Sequence, residues 1–191
     1  DGYVAQGDVT LVGKIDLKEG VKTPVGLARF HSEQGTYTNA GAVIPDRGAI
    51  TNLHDSVSIW LKAGANLETK GLYLCLYQEK GEGYIALPEL TEEWKKYTFK
   101  WEDFTFNIPS GEASSLPLNS MYSAYVQTRG NAVSGDLYMS DLRVENNANP
   151  SRHTVVADFV SRELVNYNPD ELNGTEVMTK KDFSGFKLRF R

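Results

Sequence analysis

The 191-residue chain holds a single cysteine, Cys75, and only three histidines. One cysteine rules out an intrachain disulfide and any cysteine-built zinc cage. His31, His54 and His153 have no ligand-like spacing, and isolated histidines are usually polar surface or internally satisfied residues. No apolar run comes near the ~20 residues that a membrane span requires. Positive charge is also scarce. With 20 basic against 25 acidic residues, the net charge of −5 lacks the clustered Lys and Arg that neutralise phosphates, so a nucleic-acid partner is not expected. A sustained amphipathic helical pattern is missing; Thr91–Lys96 could make one turn of helix before a strand pattern takes over. The chain opens at Asp1 rather than at methionine, which reads as processing or trimming and leaves an earlier signal peptide open.

What is present is alternation. Val57, Ile59 and Leu61 share one face of a segment whose other face carries Ser58, Trp60 and Lys62. Leu72, Leu74 and Leu76 form a cleaner stripe, opposed by Tyr73, Cys75 and Tyr77. Such period-two patterning is the signature of half-buried strands. Further strands are expected at Val9–Leu17, Val25–Ser32, Tyr97–Trp101, Met121–Thr128, Leu137–Val144 and Thr154–Val160. Breaks at Gly64–Asn66, Glu79–Gly83, Pro109–Ser115, Gly130–Gly135 and Asn146–Pro150 separate them. Many short strands without intervening helices predict an all-β fold: a two-sheet antiparallel β-sandwich with jelly-roll connections. Ten tyrosines and 17 glycines suit a β-rich binding protein better than acid–base chemistry.

The expected domain is a single sandwich over residues 1–191, with its main body in 1–147. Residues 148–191 either complete that sandwich or begin a neighbouring module. Strand candidates around Val155–Phe159 and Phe186–Phe190 favour completion, because an apolar tail left unpaired would be an aggregation liability.

The order of motifs from His54 to Asn146 resembles a carbohydrate-binding module of the galactose-binding-like group, similar to family 11 modules and their relatives. The resemblance rests on S-V-S-I-W-L-K at 56–62, the strand L-Y-L-C-L-Y-Q, L-T-E-E-W-K-K-Y-T-F-K-W-E-D-F at 90–104 and S-G-D-L-Y-M-S-D-L-R-V at 134–144. It covers about half the chain. It implies a jelly-roll sandwich in which the strands holding Tyr73 and Tyr125 share a concave, ligand-binding sheet. It also implies a non-catalytic role, extracellular or at the cell surface, in which a glycan-active enzyme is targeted to a polysaccharide of the β-glucan or hemicellulose class. Many relatives hold a structural calcium through an acidic opening strand and an Asp of the last strand. Here no such opening stands near Asp1, Ser140 occupies the usual Asp position, and Asp141 would point to the other face. Calcium therefore stays possible, no other cofactor is implied, and no metal ligands are assigned. Ala157-Asp158-Phe159 looks more like the missing opening than anything at the N-terminus.

A sugar ring needs a flat aromatic for its C–H face and polar groups for its hydroxyl rim. With the leucines inward, Tyr73 and Tyr77 face outward. The same parity puts Tyr122, Ala124 and Val126 inward, leaving Ser123, Tyr125 and Gln127 outward with Arg129 at the strand end. The expected binding platform is therefore Tyr73, Tyr77 and Tyr125, with Gln127 and Arg129 fixing orientation, Tyr84 on the rim, and Arg29 with His31 at the groove edge. Against this stands the plain alternative that outward tyrosines merely cover strand neighbours, which β-propensity favours. Trp60 is expected to pack under a loop, Trp94 and Trp101 to cover a sandwich edge, and Asn173-Gly174-Thr175 is a formal glycosylation sequon.

Enzyme readings lack their residues. No strand alternates the carboxylates that would set a glycosidase pair ~5–9 Å apart, and Arg162-Glu163-Leu164 echoes a lyase motif without its partners. No Gly-x-Ser-x-Gly, phosphate loop or His-Glu-x-x-His occurs. A structural or protein-interaction sandwich within a larger glycan-active or surface protein is the alternative to a binding module.

Overall fold

The structure is a computed structural model that describes residues 7–18, 21–43, 50–68, 70–78, 81–109, 117–157 and 164–166. Twelve strands are described: β1 (Gly7–Lys18), β2 (Val21–Ser32), β3 (Asn39–Val43), β4 (Ser56–Ala63), β5 (Tyr73–Gln78), β6 (Gly81–Ala86), β7 (Lys95–Lys100), β8 (Thr105–Asn107), β9 (Met121–Gln127), β10 (Val133–Glu145), β11 (Thr154–Ala157) and β12 (Leu164–Asn166). They form two antiparallel sheets. One runs β1-β2-β10-β4-β7, with β11 also paired to β10; the other runs β12-β3-β9-β5-β6-β8. Helical structure among the described residues is confined to single 3-10 turns at Trp101–Asp103 and Leu118–Ser120. This is the expected all-β, two-sheet sandwich.

Alternation decides which residues fill the space between the sheets. From the first sheet, Ala28 and Phe30, then Val57, Ile59, Leu61 and Ala63, then Leu137, Met139, Leu142 and Val144 point inward and are buried. Leu74 and Leu76 of β5 and Ala124 and Val126 of β9 meet them from the second sheet. Each fully buried aliphatic side chain contributes roughly 1.5–3 kcal/mol of transfer free energy, so one continuous core accounts for the pairing of the layers.

β10 crosses a defect in this pattern. Met139 and Val144 both face the core although an odd number of steps separates them, because a bulge lies between Ser140 and Arg143 opposite β4. Asp141 takes φ +51° there. The extra residue resets the parity, so Leu142 turns inward and the Asp141 carboxylate is engaged by Arg143 Nε at 2.7 Å.

The breaks expected at Glu79–Gly83 and Gly130–Gly135 are shorter than the sequence indicated. β6 already begins at Gly81 and β10 at Val133, because strand pairing carries the backbone through these glycines. β3, β6, β8 and β12 were not anticipated; β3, β8 and β12 are only three to five residues long, and β6 opens on Gly-Glu-Gly. Glu92–Glu93 form a bend rather than a helical turn. After the Asn146–Pro150 segment, β11 pairs with β10 through Leu142↔Ala157 and Val144↔Thr154, and β12 pairs with β3. Phe159, the sequon and the strand expected at Phe186–Phe190 lie outside the described residues.

Candidate functional site: a tyrosine–arginine face

On the outer face of the second sheet, register builds a small grid. Tyr73 of β5 stands opposite Gln127 of β9 and Ala86 of β6; Cys75 opposite Tyr125 and Tyr84; Tyr77 opposite Ser123 and Glu82. On the far side of β9, Asn39 of β3 pairs with Gln127. The tyrosines on β5, β6 and β9 thus surround Cys75, which is fully buried.

Arg129 closes the grid. It follows β9 with φ +45°, and its side chain lies across β5 and β6. The guanidinium carbon sits 3.6 Å from the Tyr84 ring centre and 5.9 Å from that of Tyr73. Its Nη1 donates to Glu82 Oε1 at 2.9 Å and to Gln127 Oε1 at 3.1 Å, with Cys75 Sγ at 3.8 Å. Gln127 Nε2 in turn donates to Tyr77 Oη at 2.9 Å and to Asn39 Oδ1. The thiol of Cys75 donates weakly to Gln127 Oε1 at 3.5 Å. Two edge-to-face ring pairs finish the packing, Tyr73 with Tyr84 at 6.2 Å and Tyr77 with Tyr125 at 5.5 Å.

Electrostatics follow from this enclosure. Burial pushes the Cys75 thiol up to about 12, the Arg129 cation opposing it only in part and Glu82 adding to it. Burial works against the Arg129 cation, yet the Glu82 hydrogen bond and the charges around it hold the guanidinium protonated above its ordinary range. Glu82 Oε2 and Ser123 Oγ are buried without a hydrogen-bond partner among the described residues.

The structure therefore brings together Tyr73, Tyr77, Tyr84, Tyr125, Gln127 and Arg129, but not as equals. Tyr73, Tyr77 and Tyr84 are half-exposed, whereas Tyr125 is 5% and Gln127 0% exposed. The expectation of an open Tyr125 ring is corrected: Tyr77 lies against it. Gln127 likewise holds Arg129 and Tyr77 in place instead of reaching outward. Arg29 and His31 are not at this face at all. They lie on β2 in the opposite sheet, exposed, with Arg29 bonded to Asp136 at 2.8 Å. Residue parity was right for β2, but parity cannot say which sheet a strand joins. Asn39, Cys75 and Glu82 were missed; the signal available for Glu82 and Tyr84 was their i, i+2 spacing in a segment whose glycines read as a turn. Trp60 lies on the opposite sheet, half-buried between Ser140 and Lys96 in register. Trp94 packs edge-on against Tyr138. Among the described residues no three His, Cys, Asp or Glu side chains gather as cation ligands; Asp141 is engaged by Arg143, and Asp158 lies outside the described residues.

The two-sheet antiparallel β-sandwich is similar to solved structures of carbohydrate-binding modules. Two similar solved structures are the family 11 carbohydrate-binding module of the cellulosomal cellulase Lic26A-Cel5E of Clostridium thermocellum and a family 11 module from the same organism in complex with a β-1,3-1,4-mixed-linked tetrasaccharide. They match with TM-scores of 0.54 and 0.55 at 14% and 11% identity, covering 72% of this chain and 81% and 82% of theirs. An exo-β-agarase matches with TM-score 0.55 at 12% identity, over 76% of this chain and 23% of its own. No family model and no curated protein matches the sequence. At such identities the likeness is one of fold.

Proposed function

We propose that the chain is a non-catalytic carbohydrate-binding module whose tyrosine–arginine face holds a polysaccharide of the β-glucan or hemicellulose class. The observation that carries this reading is the gathering of three half-exposed rings on one face, Tyr73 and Tyr84 against the enclosed Arg129 guanidinium and Tyr77 joined to it through Gln127. Flat rings match the C–H faces of pyranoses, and the cation donates to hydroxyls from a fixed position. Glu82, Gln127, Asn39 and Cys75 form the buried support that holds the binding groups in place before a ligand arrives, which lowers the ordering cost of binding. The family 11 module seen with a mixed-linked tetrasaccharide supports the ligand class. Linked to a glycan-active enzyme outside the cell, such a module raises the local concentration of substrate.

At about 1 kcal/mol per aromatic contact beyond its buried area, the affinity falls on the order of 10–100 μM. Calorimetric titration with soluble mixed-linkage β-glucan, xyloglucan and xylan tests this. Tyr73→Ala and Tyr84→Ala should each weaken binding by about 5–10-fold. Heat from no glycan, or affinities untouched by both substitutions, overturns the reading. A second reading takes this half-exposed tyrosine face as a covered interaction surface. That reading predicts binding to a protein module in place of a glycan.

A further inference from the structure

A second concavity lies away from the tyrosine–arginine face, at the end of the sandwich where the chain crosses from β7 to β8. It has a volume of about 920 Å³ and an open mouth, within the range of ligand sites, roughly 300–1,000 Å³. Its apolar wall is Trp101 with Phe106, whose rings are 5.0 Å apart; Phe104 backs the indole at 4.7 Å. Gly83 lets the indole lie close against β6, since a Cβ there would come within 2.8 Å of Trp101 Cη2. The aromatic wall is therefore half-buried and fixed by its neighbours.

The rim is polar and carries charges of both signs. Asp55 and Glu102 face Lys100 and His54 around the mouth. Asp55 is anchored as the acceptor of the Asn147 N–H at 3.0 Å and the Ser56 hydroxyl at 3.0 Å. His54 Nδ1 accepts the Thr51 N–H at 3.0 Å. That bond assigns the neutral ring's proton to Nε2, which becomes a donor with a known address. A rigid indole wall with donors and acceptors of both signs around it matches a neutral polyhydroxylated ring. It matches an anion poorly, because the Asp55 and Glu102 carboxylates outnumber the Lys100 cation beside a neutral His54, and an apolar ligand poorly, because the rim would lose its water.

We infer that this concavity is a second saccharide site, in which Trp101 stacks on a pyranose face and His54 Nε2 and the Asp55 and Glu102 carboxylates address its hydroxyls. Two sites on different faces of one chain would let it bridge neighbouring glycan strands, or hold one strand at two points with a gain from effective concentration.

The test is a nuclear magnetic resonance titration of the intact chain with cellotetraose, laminaritetraose, xylotetraose and a mixed-linked β-glucan tetrasaccharide. It follows the Trp101 indole N–H and, separately, the Tyr73 and Tyr84 ring signals. The expected result is a saturable Trp101 shift with at least one oligosaccharide, retained in Tyr73→Ala and at least 10-fold weaker in Ala148→Trp, which fills the mouth without removing the wall. Trp101→Phe should weaken the same binding as a milder check. No Trp101 shift with any of the four sugars overturns the inference, as does a shift unchanged in Ala148→Trp or abolished by Tyr73→Ala. Failure of the tyrosine–arginine face is read independently, at Tyr73 and Tyr84.

Discussion

Cys75 shows how a single position ties stability to the candidate site. Its side chain points away from the core leucines, yet it is fully buried beneath Arg129 and the surrounding tyrosines. The folded thiol is raised from an ordinary 9.0 to about 12, so the native state binds the proton more tightly than the unfolded chain does. The associated stability is fully present below pH 9 and is lost as pH rises from about 9 toward 12. Urea unfolding midpoints should fall over that window, and fall less steeply in Cys75→Ala. In native protein at pH 8 the thiol should resist alkylation and react only after unfolding. Glu82 gives the companion prediction. Removing it leaves the Arg129 cation enclosed without its counter-charge, so Glu82→Ala should cost about 3 kcal/mol, measured by urea denaturation. The Tyr73 and Tyr84 signals should shift with it, because the guanidinium that lies against both rings is no longer held.

Among the elements, β10 bears the tightest constraints. Gly135 sits at φ +118°, and a Cβ there would lie 2.3 Å from the Asn66 carbonyl oxygen and 2.5 Å from Leu67 Cα. The segment joining β4 to β5 passes directly over it. Gly135→Ala should destabilise by about 2 kcal/mol or more, from both backbone strain and overlap, as read from thermal or urea unfolding. At the other end of β10, Glu145 Oε1 accepts Ser58 Oγ of β4 at 2.7 Å and Lys96 Nζ of β7 at 2.6 Å, so one carboxylate spans three adjacent strands. Burial alone would raise its pKa and disfavour the carboxylate; the Lys96 and Ser58 hydrogen bonds and the Lys96 and Arg143 charges outweigh it and hold the pKa below the ordinary carboxylate value. β5 was legible throughout, because its leucine stripe is unbroken. β3, β6 and β8 were not, because short strands with glycine or polar residues acquire their conformation from the neighbours they pair with.

For the whole molecule, the charge distribution makes a prediction about binding. The net charge is −5, and Arg129, the cation described at the proposed face, is paired with Glu82 inside it. Glycan binding there should be nearly independent of ionic strength. Calorimetry at low and high sodium chloride should give affinities within about twofold, since burial protects the Arg129–Glu82 pair from screening. A steep loss with salt would mean that an exposed, unpaired cation carries the interaction.

Alternation by itself determined that this chain forms strands, which of their side chains enter a core, and that Tyr73 and Tyr77 point away from it. Those facts are local, fixed by a backbone whose side chains change sides at every residue. Only the tertiary structure decided which strands become neighbours. It set β6 beside β5 and so delivered Glu82 and Tyr84 to Arg129, sent Arg29 and His31 to the opposite sheet, and folded Tyr125 beneath Tyr77. Pairing between segments distant in sequence depends on the sum of contacts across two whole sheets, which no stretch of residues carries alone.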